Sequence, residues 1–446
     1  MMETSKQATE ASGITEEERA RWVRQFKWSW AEASIWTDTM LTALENGVKG
    51  RKWFSLIDKV YRSSTLEVAW QKVRANKGSA GIDKITISMF ERQQMKYLKE
   101  LEHELKTGTY QPKAVKRVYI PKGQGKMRPL GVPSVKERIA QQAVKIVIEP
   151  IFEKEFLDVS YGFRPNRGAQ MAIEEVNHLI KNGYTWVVDA DLQAYFDTIP
   201  HEKLLEKVEQ RISDGRIIAL LRMWLKQEIM EECKGRVPTC GSPQGSVISP
   251  LLSNVYLHDL DVAVTSAGHK MIRYADDFVI LAKSQEEAKE ALRVVQTWVA
   301  EHKLILHPEK THLGNCMVEG EGFEFLGYRF EAGTSWVRRK SIQKFRDRIR
   351  QETSRNCGQS IKAVVVKLNP ILRGWSNYFK EVTKYTLGTF DSFVRRRLRA
   401  IIANQNKRRV FGAGMCNLKI PNKFFANIGL FNMEDSQRQY LACRSR

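Results

Sequence analysis

Residues 271–283 read MIRYADDFVILAK, two apolar runs on either side of a tight turn. This pattern predicts a β-hairpin, and its turn carries the adjacent acids Asp276 and Asp277. Two carboxylates between apolar strands are costly, because they repel each other and lose solvation. A divalent cation would remove that cost, although an acid pair in a turn is, taken alone, more often only a turn.

A second acid cluster ends another apolar strand. Residues 185–192 read TWVVDADL and carry Asp189 and Asp191, and Asp197 follows within a few positions. Mg²⁺ prefers oxygen ligands, and two such ions about 3.5–4 Å apart can serve an in-line phosphoryl transfer. Two strand-borne clusters therefore favour a metal site over a plain turn. Their distance along the chain leaves open whether they meet in space.

Strands and helices interleave along the rest of the chain without a strict βαβ repeat. Residues 114–121 and 323–331 alternate like strands, and residues 122–133 form a loop or hairpin. Helical patterns cover residues 15–62, 136–156, 168–182, 202–232, 284–304 and 341–405. In the first of them, Trp22, Phe26 and Trp30 recur every four residues, which favours core packing over base stacking. The order predicts an α+β fold in which helices cover one face of a sheet.

Length and composition exclude several classes of protein. The chain has 446 residues, which suggests two or three domains, and 42% hydrophobic residues, which support folded cores. No apolar run approaches the roughly 18 residues of a membrane span, and the N-terminus lacks the pattern of a secretory signal. The six cysteines form no CxxC pair, so reduced thiols of a cytoplasmic protein are favoured over a zinc site.

The positive charge is concentrated at one end of the chain. The formal net charge is +21, and residues 338–446 hold 25 lysines and arginines against 6 acids. The preceding residues are nearly neutral. A charge surplus of this size indicates a polyanionic partner, either nucleic acid or an anionic membrane surface. Because a solvated surface normally mixes both signs, the asymmetry predicts a C-terminal binding region.

From about residue 63 onward, the motifs resemble the reverse transcriptase–maturase proteins encoded by bacterial and organellar group II introns. They follow the family's order: GSAGID (78–83), YIPKGQGKMRPLGVPSVKERIAQQAV (119–144), SYGFRPNRGAQMAI (160–173), VVDADLQAYFDTIPH (187–201), GSPQGSVISPLLSNVYL (241–257), YADDF (274–278), LILHPEKT (304–311), FEFLGY (323–328), LNPILRGWSNYF (368–379) and IPNKFFANIGLF (420–431). YADD alone is a weak signal, whereas the ordered set is specific.

The resemblance implies a right-hand polymerase fold, in which fingers and palm precede an α-helical thumb. It divides the chain into an N-terminal helical extension (1–62), fingers and palm (63–337), a thumb or maturase domain (338–405) and a short basic DNA-binding segment (406–446). The implied activity is RNA-directed DNA polymerase, with dNTPs and a template–primer as substrates. Group II intron RNA and target DNA are the implied partners, and the oligomeric state stays open, with a dimer as one alternative.

The family pattern also assigns metal ligands. Asp191 and Asp276 would be the principal ligands of two Mg²⁺ ions, with Asp277 beside them and the backbone carbonyl of Leu192 as a further donor. Mn²⁺ is a possible substitute. Asp189 competes for the role, since it shares a strand face with Asp191. The family's spacing of an acid, four residues and then an aromatic–acid pair fits Asp191.

Four further residues would act on the incoming nucleotide. Lys122 and Arg128 would clamp its triphosphate, with ordinary loop charge as the alternative. Gln244 would contact the nascent base pair and the template strand. Lys310 is a candidate general acid for the pyrophosphate leaving group, and a solvated structural lysine is the competing interpretation.

Phe196 is the predicted gate against ribonucleotides. It lies five residues after Asp191, where a bulky ring would fill the space that a 2′-hydroxyl needs. Tyr195 is the rival, but in a regular strand its side chain would point the other way. The alternative for Phe196 is plain core packing.

The remaining assignments concern the nucleic acid. Leu326, Gly327 and Tyr328 would form the primer grip. The basic residues that would bind backbone phosphates are Arg395, Arg396, Arg397, Arg399, Lys407, Arg408 and Arg409.

The chain ends without the paired cysteines of the zinc-dependent HNH endonuclease found in many relatives. Second-strand cleavage is therefore not expected, which points to a lineage that primes from nascent strands at replication forks, or to a domesticated enzyme without an intron. One alternative function is that of a free-standing, domesticated reverse transcriptase in DNA repair or phage defence. The other is that of a splicing-only maturase, which the intact set of polymerase residues disfavours.

Overall fold

A computed structural model of the protein describes residues 23–123, 126–231, 234–236, 240–241, 245–308, 310–354, 358–383, 385–406 and 419–444. The described strands form three sheets, two of four strands and one of three, and the C-terminal region is helical. The mixed α+β architecture predicted from the sequence is therefore confirmed. Within the described residues, every helix is too short or too polar to cross a membrane.

Helices dominate the N-terminal region. They are α1 (Asp38–Asn46), α2 (Ile57–Val60), α3 (Ser63–Ala75), α4 (Ile87–Arg92) and α5 (Gln94–Thr107). The core packing predicted for the aromatic stripe is confirmed at Trp30, which packs against buried apolar residues, and is wrong at Phe26, because the helix that begins this region ends at residue 27. Phe26 is consequently 71% exposed, and Trp28, which lies outside the predicted stripe, is only 3% exposed. Trp22 lies outside the described residues.

The fingers sheet combines a long hairpin with two short strands. Its members are β1 (Val115–Gly123), β2 (Lys126–Val132), β4 (Ile229–Glu231) and β5 (Lys234–Arg236), in the order β2-β1-β4-β5. The helical prediction for 202–232 is wrong beyond residue 225. There the chain pairs in parallel with β1, which is distant in sequence, and the amide of Val115 donates to the carbonyl of Glu228 at 2.7 Å.

The second four-stranded sheet forms the palm. Its strands are β3 (Trp186–Asp191), β6 (Lys270–Tyr274), β7 (Asp277–Ala282) and β8 (His312–Asn315), all antiparallel, in the order β6-β7-β3-β8. The helices around it are α6 (Val135–Glu153), α7 (Ala169–Lys181), α8 (Tyr195–Thr198), α9 (His201–Glu209), α10 (Gly215–Leu225), α11 (Ser249–Ser266) and α12 (Gln285–Glu301).

Apolar cores cover both faces of the palm sheet, so the prediction of helices on one face is wrong. Val188 belongs to a first core with Val295 of α12, and its neighbour Val187 belongs to a second core with Ile173 of α7. Along β7, residues 278–282 are buried at every position. A strand covered on both sides has a continuous apolar sequence rather than an alternating one.

The thumb follows a small sheet. That sheet holds β9 (Phe323–Phe325), β10 (Tyr328–Glu331) and β11 (Thr334–Val337), and the helices are α13 (Arg339–Glu352), α14 (Ile361–Tyr378), α15 (Thr386–Gln405), α16 (Asn422–Asn427) and α17 (Met433–Arg444). The single strand predicted for 323–331 is two strands. The chain reverses at Leu326 and Gly327, whose φ angles are +49° and +83°.

Polar contacts fix α17 to the rest of the thumb. The buried carboxylate of Asp391 accepts the amides of Met433 and Glu434 at 3.1 and 3.0 Å. The side-chain amide of Gln437 donates to the carbonyls of Lys380 and Val382. Met433 is fully buried in the second core, which extends from Tyr161 of the palm region to this helix.

Candidate active site

The two acid clusters meet in space at the end of the palm sheet. In the antiparallel pair β3–β7, Asp191 lies directly opposite Asp277. Opposed residues on such strands have Cβ atoms about 4.5–5.5 Å apart, which brings the carboxylates within reach of a common ligand. Asp189 lies two positions before Asp191 on β3, on the same face as Asp191 and opposite Val279.

Asp276 lies in the β6–β7 turn, and the conformation of this turn is unusual. Ala275 has a φ of +61°, in the left-handed region that L-residues rarely adopt. Gly162 packs against this turn so closely that a Cβ on it would lie 2.4 Å from the Ala275 nitrogen. Any larger residue at position 162 would therefore displace the turn. This glycine belongs to the motif SYGFRP (160–165), but the sequence alone did not predict its contact with the turn.

The carboxylates carry an electrostatic penalty. Burial, together with Asp276 and Asp191, raises the pKa of Asp277 to about 7. Burial, together with Asp277, Asp191 and Glu324, raises the pKa of Asp189 to about 7. Both values lie far above those of ordinary carboxyl groups, because the ionised forms are desolvated and repel one another.

Asp191 is also in contact with the chain that follows α12. The ammonium of Lys310 forms an ion pair with the Asp191 carboxylate. Beside it, Leu192 bridges to Leu306 through hydrogen bonds that use the carbonyls of Asp191 and Ile305 rather than that of Leu192. In the described part of the chain, no three acid, histidine or cysteine side chains are close enough together to form a preformed metal-ligand set.

The fingers hairpin reaches over the chain that leaves β3. Burial raises the pKa of the Asp197 carboxyl, and the positive charges of Arg117 on β1 and Arg128 on β2 partly offset this rise. Arg128 is exposed. Arg117 is a cation near the site that sequence reasoning missed, because its strand pattern contained no sign of proximity to Asp197. Lys122 lies in β1, and its side chain is outside the described part of the structure.

Gln244 lies outside the described residues, but the structure describes Gly241 before it and Gly245 after it. A Cβ on Gly241 would lie 2.7 Å from the backbone of Asp197. A Cβ on Gly245, whose φ is +107°, would lie 2.3 Å from the carbonyl oxygen of Gly131 at the end of the fingers hairpin. Both glycines are required by close backbone approaches, to the palm at Gly241 and to the fingers hairpin at Gly245.

Tyr195 and Phe196 differ clearly in their surroundings. Ala194 has a φ of +47°, and the chain then enters the short helix α8, so the regular strand expected for these two residues is wrong. The Tyr195 ring is fully buried, and its hydroxyl donates to the carbonyl of Ser253 at 2.9 Å. Phe196 is half-buried, and its ring packs edge-on against Tyr195.

The β9–β10 turn joins the palm to the thumb. The amide of Arg338 donates to the Gly327 carbonyl at 3.0 Å, and the Tyr378 hydroxyl donates to the Leu326 carbonyl at 2.8 Å. The Tyr328 hydroxyl donates to the Tyr378 carbonyl. A groove of about 710 Å³ leads from Asp277 past this turn to α13 and α14.

The predicted phosphate-binding arginines of α15 have different environments. Arg399 is buried and donates to the Ile420 carbonyl and the Asn422 side chain, and Arg397 donates to Thr353 at the end of α13. Arg396 is exposed, and Arg395 donates to Ser392. Burial of Arg399 was not visible in the sequence, where all four look alike. The other three predicted residues, Lys407, Arg408 and Arg409, lie outside the described residues.

Two family models match the chain. One, described as "Reverse transcriptase (RNA-dependent DNA polymerase)", matches residues 120–330, and the other, described as "Group II intron, maturase-specific domain", matches residues 342–413. The first match contains both acid clusters and most of the fingers hairpin. The second contains α14, α15 and most of α13.

Individual proteins are also similar. Protein YkfC of Escherichia coli K12 is 35% identical, and the match covers 65% of this chain and 84% of YkfC. Group II intron-encoded protein LtrA of Lactococcus lactis subsp. cremoris is 37% identical. That match covers 46% of this chain and only 34% of LtrA. Among solved structures, a partial Cas6-RT-Cas1–Cas2 complex matches with a TM-score of 0.37 at 27% identity, over 55% of this chain and 41% of that one.

Proposed function

The chain belongs to the group II intron-encoded reverse transcriptases, and on this premise we propose that it copies RNA into DNA at Asp191, Asp276 and Asp277. The observation that carries the proposal is the pairing of Asp191 with Asp277 inside the region that matches the reverse transcriptase family. The substrates are dNTPs and a primer on its template. The maturase-specific match supports a second role, in which the protein binds its intron RNA and assists splicing and mobility into target DNA.

The donor set fits a divalent cation. Burial, and then repulsion by the neighbouring carboxylates, raises the pKa of Asp189 and Asp277, so a cation bound there would stabilise their ionised forms. The carboxylates of Asp191, Asp276 and Asp277 and the carbonyl of Leu192 are hard oxygen donors, which suit Mg²⁺ or Mn²⁺. Two bound ions would supply charge stabilisation for the attacking and leaving oxygens of the phosphoryl transfer.

The chain's own residues supply the remaining functions. Lys122 and Arg128, on the hairpin above Asp197, would bind the triphosphate, because fixed cations match phosphate oxygens. Gln244 would contact the nascent base pair. Lys310, whose ammonium already lies at Asp191, would donate a proton to the leaving pyrophosphate.

We expect the metal-free protein to lose stability as the pH rises from about 4 to about 7. In that range the folded state retains protons on Asp277 and Asp189, which the unfolded chain has already released. The unfolded state then binds fewer protons, so the free energy of unfolding falls with rising pH. Mg²⁺ should reverse the loss near pH 7, because it stabilises the ionised carboxylates. Thermal denaturation with and without Mg²⁺, across this pH range, measures both effects.

The matched variant for this experiment is Asp277→Asn, which removes one titrating group with little change in shape. It should flatten the pH dependence and reduce the stabilisation by Mg²⁺. A wild-type protein whose midpoint temperature rises between pH 5 and pH 7 in the absence of metal would contradict the electrostatic account.

Two basic surfaces on the thumb suit two nucleic acids. Lys344 and Arg348, one helical turn apart on α13, line the groove that begins at Asp277. Arg346 and Arg350 are offset from them by two residues, on the opposite side of the helix. Together with Arg396, these two surround the ring of Phe393 at 5.7–6.0 Å. We assign the groove pair to the template–primer duplex and the Phe393 arginines to intron RNA.

Replacing Lys344 and Arg348 with alanine should make the salt dependence of template–primer binding shallower. The slope of log affinity against log salt should fall by up to about 0.9 for each phosphate that the variant no longer neutralises. Alanine at Arg346, Arg350 and Arg396 should leave that slope unchanged but reduce the slope for intron RNA. Filter binding of both nucleic acids over a salt series measures this. If both variants change both slopes equally, the two surfaces are not separate.

The genomic context distinguishes an intron-bound enzyme from a free-standing one. Group II intron RNA domains on both sides of the reading frame, and splicing of that RNA aided by the purified protein, would support the maturase role. Absence of such flanks would favour the domesticated alternative without changing the polymerase proposal.

A further inference from the structure

A buried ion pair lies directly behind the β6–β7 turn. The guanidinium of Arg273 on β6 contacts the carboxylate of Asp261 on α11 in a two-pronged arrangement, with N···O distances of 2.6 and 2.5 Å. Both side chains are 0% exposed. Burying two charges is unfavourable, and apolar residues of similar volume often stabilise a core equally well. We therefore expect this ion pair to have a role beyond holding β6 to α11.

The remaining contacts of Arg273 lead to the turn itself. Its Nη1 donates to the carbonyl oxygen of Ala275 and to Oδ1 of Asn254, both at 2.9 Å. The other end of the Asn254 amide donates to the carbonyl of Gly162 at 2.8 Å. Gly162 in turn packs against Ala275. The Arg273 guanidinium thus connects α11 to the Ala275 carbonyl in the turn that carries Asp276, and Asn254 connects the same helix to Gly162.

The backbone of Arg273 ties the same turn to a third segment. Its amide donates to the carbonyl of Val159, and its carbonyl accepts the amide of Tyr161, each at 2.8 Å. Ala275 has a left-handed φ, which persists only where the surroundings hold it in place. Arg273, through its bond to the Ala275 carbonyl, and Gly162, through its close packing, both contact this residue.

We propose that Arg273, oriented by Asp261 and Asn254, is a positioning residue that fixes the Ala275 turn and thereby aims Asp276 and Asp277 at the reacting phosphate. This inference rests on the proposed polymerase function. Arg273 is fully buried, and it acts through its bond to the Ala275 carbonyl. A residue that only packed the core would not need the bond to the Ala275 carbonyl. Experiments can therefore distinguish a positioning role of Arg273 from a packing role.

The decisive variant is the double substitution Arg273→Met with Asp261→Leu. It removes both buried charges together, so that neither remains unpaired, and fills their volume with apolar atoms. We expect a midpoint temperature close to wild type, together with a fall in kcat for primer extension of at least about 30-fold. The KM for dNTP and the affinity for template–primer should stay within about twofold, and the Mg²⁺ concentration for half-maximal rate should rise. A stable double variant with wild-type kcat would overturn the proposal.

Arg273→Lys covers the case in which the double variant does not fold. It keeps a positive charge beside Asp261, but a single ammonium cannot span Asp261 and the Ala275 carbonyl as the planar guanidinium does. It should show the same reduction in kcat and the same shift in Mg²⁺ dependence. Equal kcat in this variant and wild type would also overturn the proposal.

Asp214→Asn is the control for loss of stability alone. Asp214 is buried and accepts the amides of Leu56, Ile57, Arg216 and Ile217, away from the turn. Its substitution should lower the midpoint temperature without changing the Mg²⁺ dependence. If this control shifts the Mg²⁺ dependence as Arg273→Lys does, the effect is general destabilisation and the proposal fails. A wild-type protein that extends no primer would instead overturn the proposed function itself.

Discussion

Asp276→Ala should reduce primer extension by at least about 10³-fold, which corresponds to about 4 kcal/mol of activation free energy. The reason is that Asp276 lies in the turn between β6 and β7, next to the opposed pair Asp191 and Asp277. Removing one carboxylate from this cluster removes a proposed metal ligand, and charge stabilisation in such a site is a large part of catalysis. Binding of intron RNA should be unchanged, because the basic residues lie in the thumb.

Both quantities should be measured on the same preparation of the variant. Asp259→Ala is the matched control, since Asp259 is also an acid of the palm region but pairs with Lys207 on the outside of α11. We expect its primer extension to stay within about twofold of wild type. Residual extension by Asp276→Ala within about tenfold of wild type would contradict the ligand assignment. Loss of RNA affinity in the same protein would indicate misfolding rather than a missing ligand.

Phe196→Ala should raise the use of ribonucleotides relative to deoxyribonucleotides by about 10- to 100-fold, or roughly 1.4–3 kcal/mol. Phe196 is half-buried on the chain that leaves Asp191, so one side of its ring can face an incoming sugar. Tyr195 cannot take this role without breaking its hydrogen bond to Ser253 and leaving the core. The measurement is kcat/KM for a deoxyribonucleotide and its matched ribonucleotide, in wild type and variant.

Tyr195→Phe is the control for this selectivity experiment. It removes only a buried hydroxyl and should cost about 1 kcal/mol of stability without a change in sugar preference. If Phe196 is a plain core residue, truncation should cost roughly 3–5 kcal/mol of stability and lower both kcat/KM values in parallel. An unchanged ratio would therefore reject the gate.

The parts of the fold predicted well are those set by local sequence. Three elements show this: the YADD hairpin, the strand that ends at Asp191 and the amphipathic helix α12. Each has a regular hydrophobic pattern and residues that mark where it ends. The segment 323–331 could not be predicted as two strands, because its reversal places Leu326, a residue without glycine's freedom, in a left-handed conformation. That reversal is held by hydrogen bonds from Arg338, beyond the next two strands, and from Tyr378, which is distant in sequence. Strand β4 was missed for the same reason, since its partner β1 lies far upstream.

In the candidate site, too, features set by local sequence were predicted and features set by distant contacts were not. The sequence identified the acids by type and spacing, and the register of β3 and β7 brings them together. The assigned roles of Lys310, Phe196 and the primer-grip residues stay predictions. The sequence could not distinguish Arg399, which is buried against Asn422, from Arg396 on the surface, because each occupies one position in a run of similar charges. Arg273 looks in the sequence like any other strand residue, although its side chain bonds the turn that carries Asp276.

The division of the interior into two cores has a consequence for synthesis on the ribosome. The first core is built from residues between Trp28 and Leu304, so it can close while the C-terminal region is still being made. The second core needs residues as late as Met433. At the usual 5–20 residues per second, the intervening stretch takes roughly 6–26 s to translate. During that interval the nascent chain exposes the apolar side of the palm that carries Val187 and Val279, which makes it a substrate for chaperones until α17 emerges.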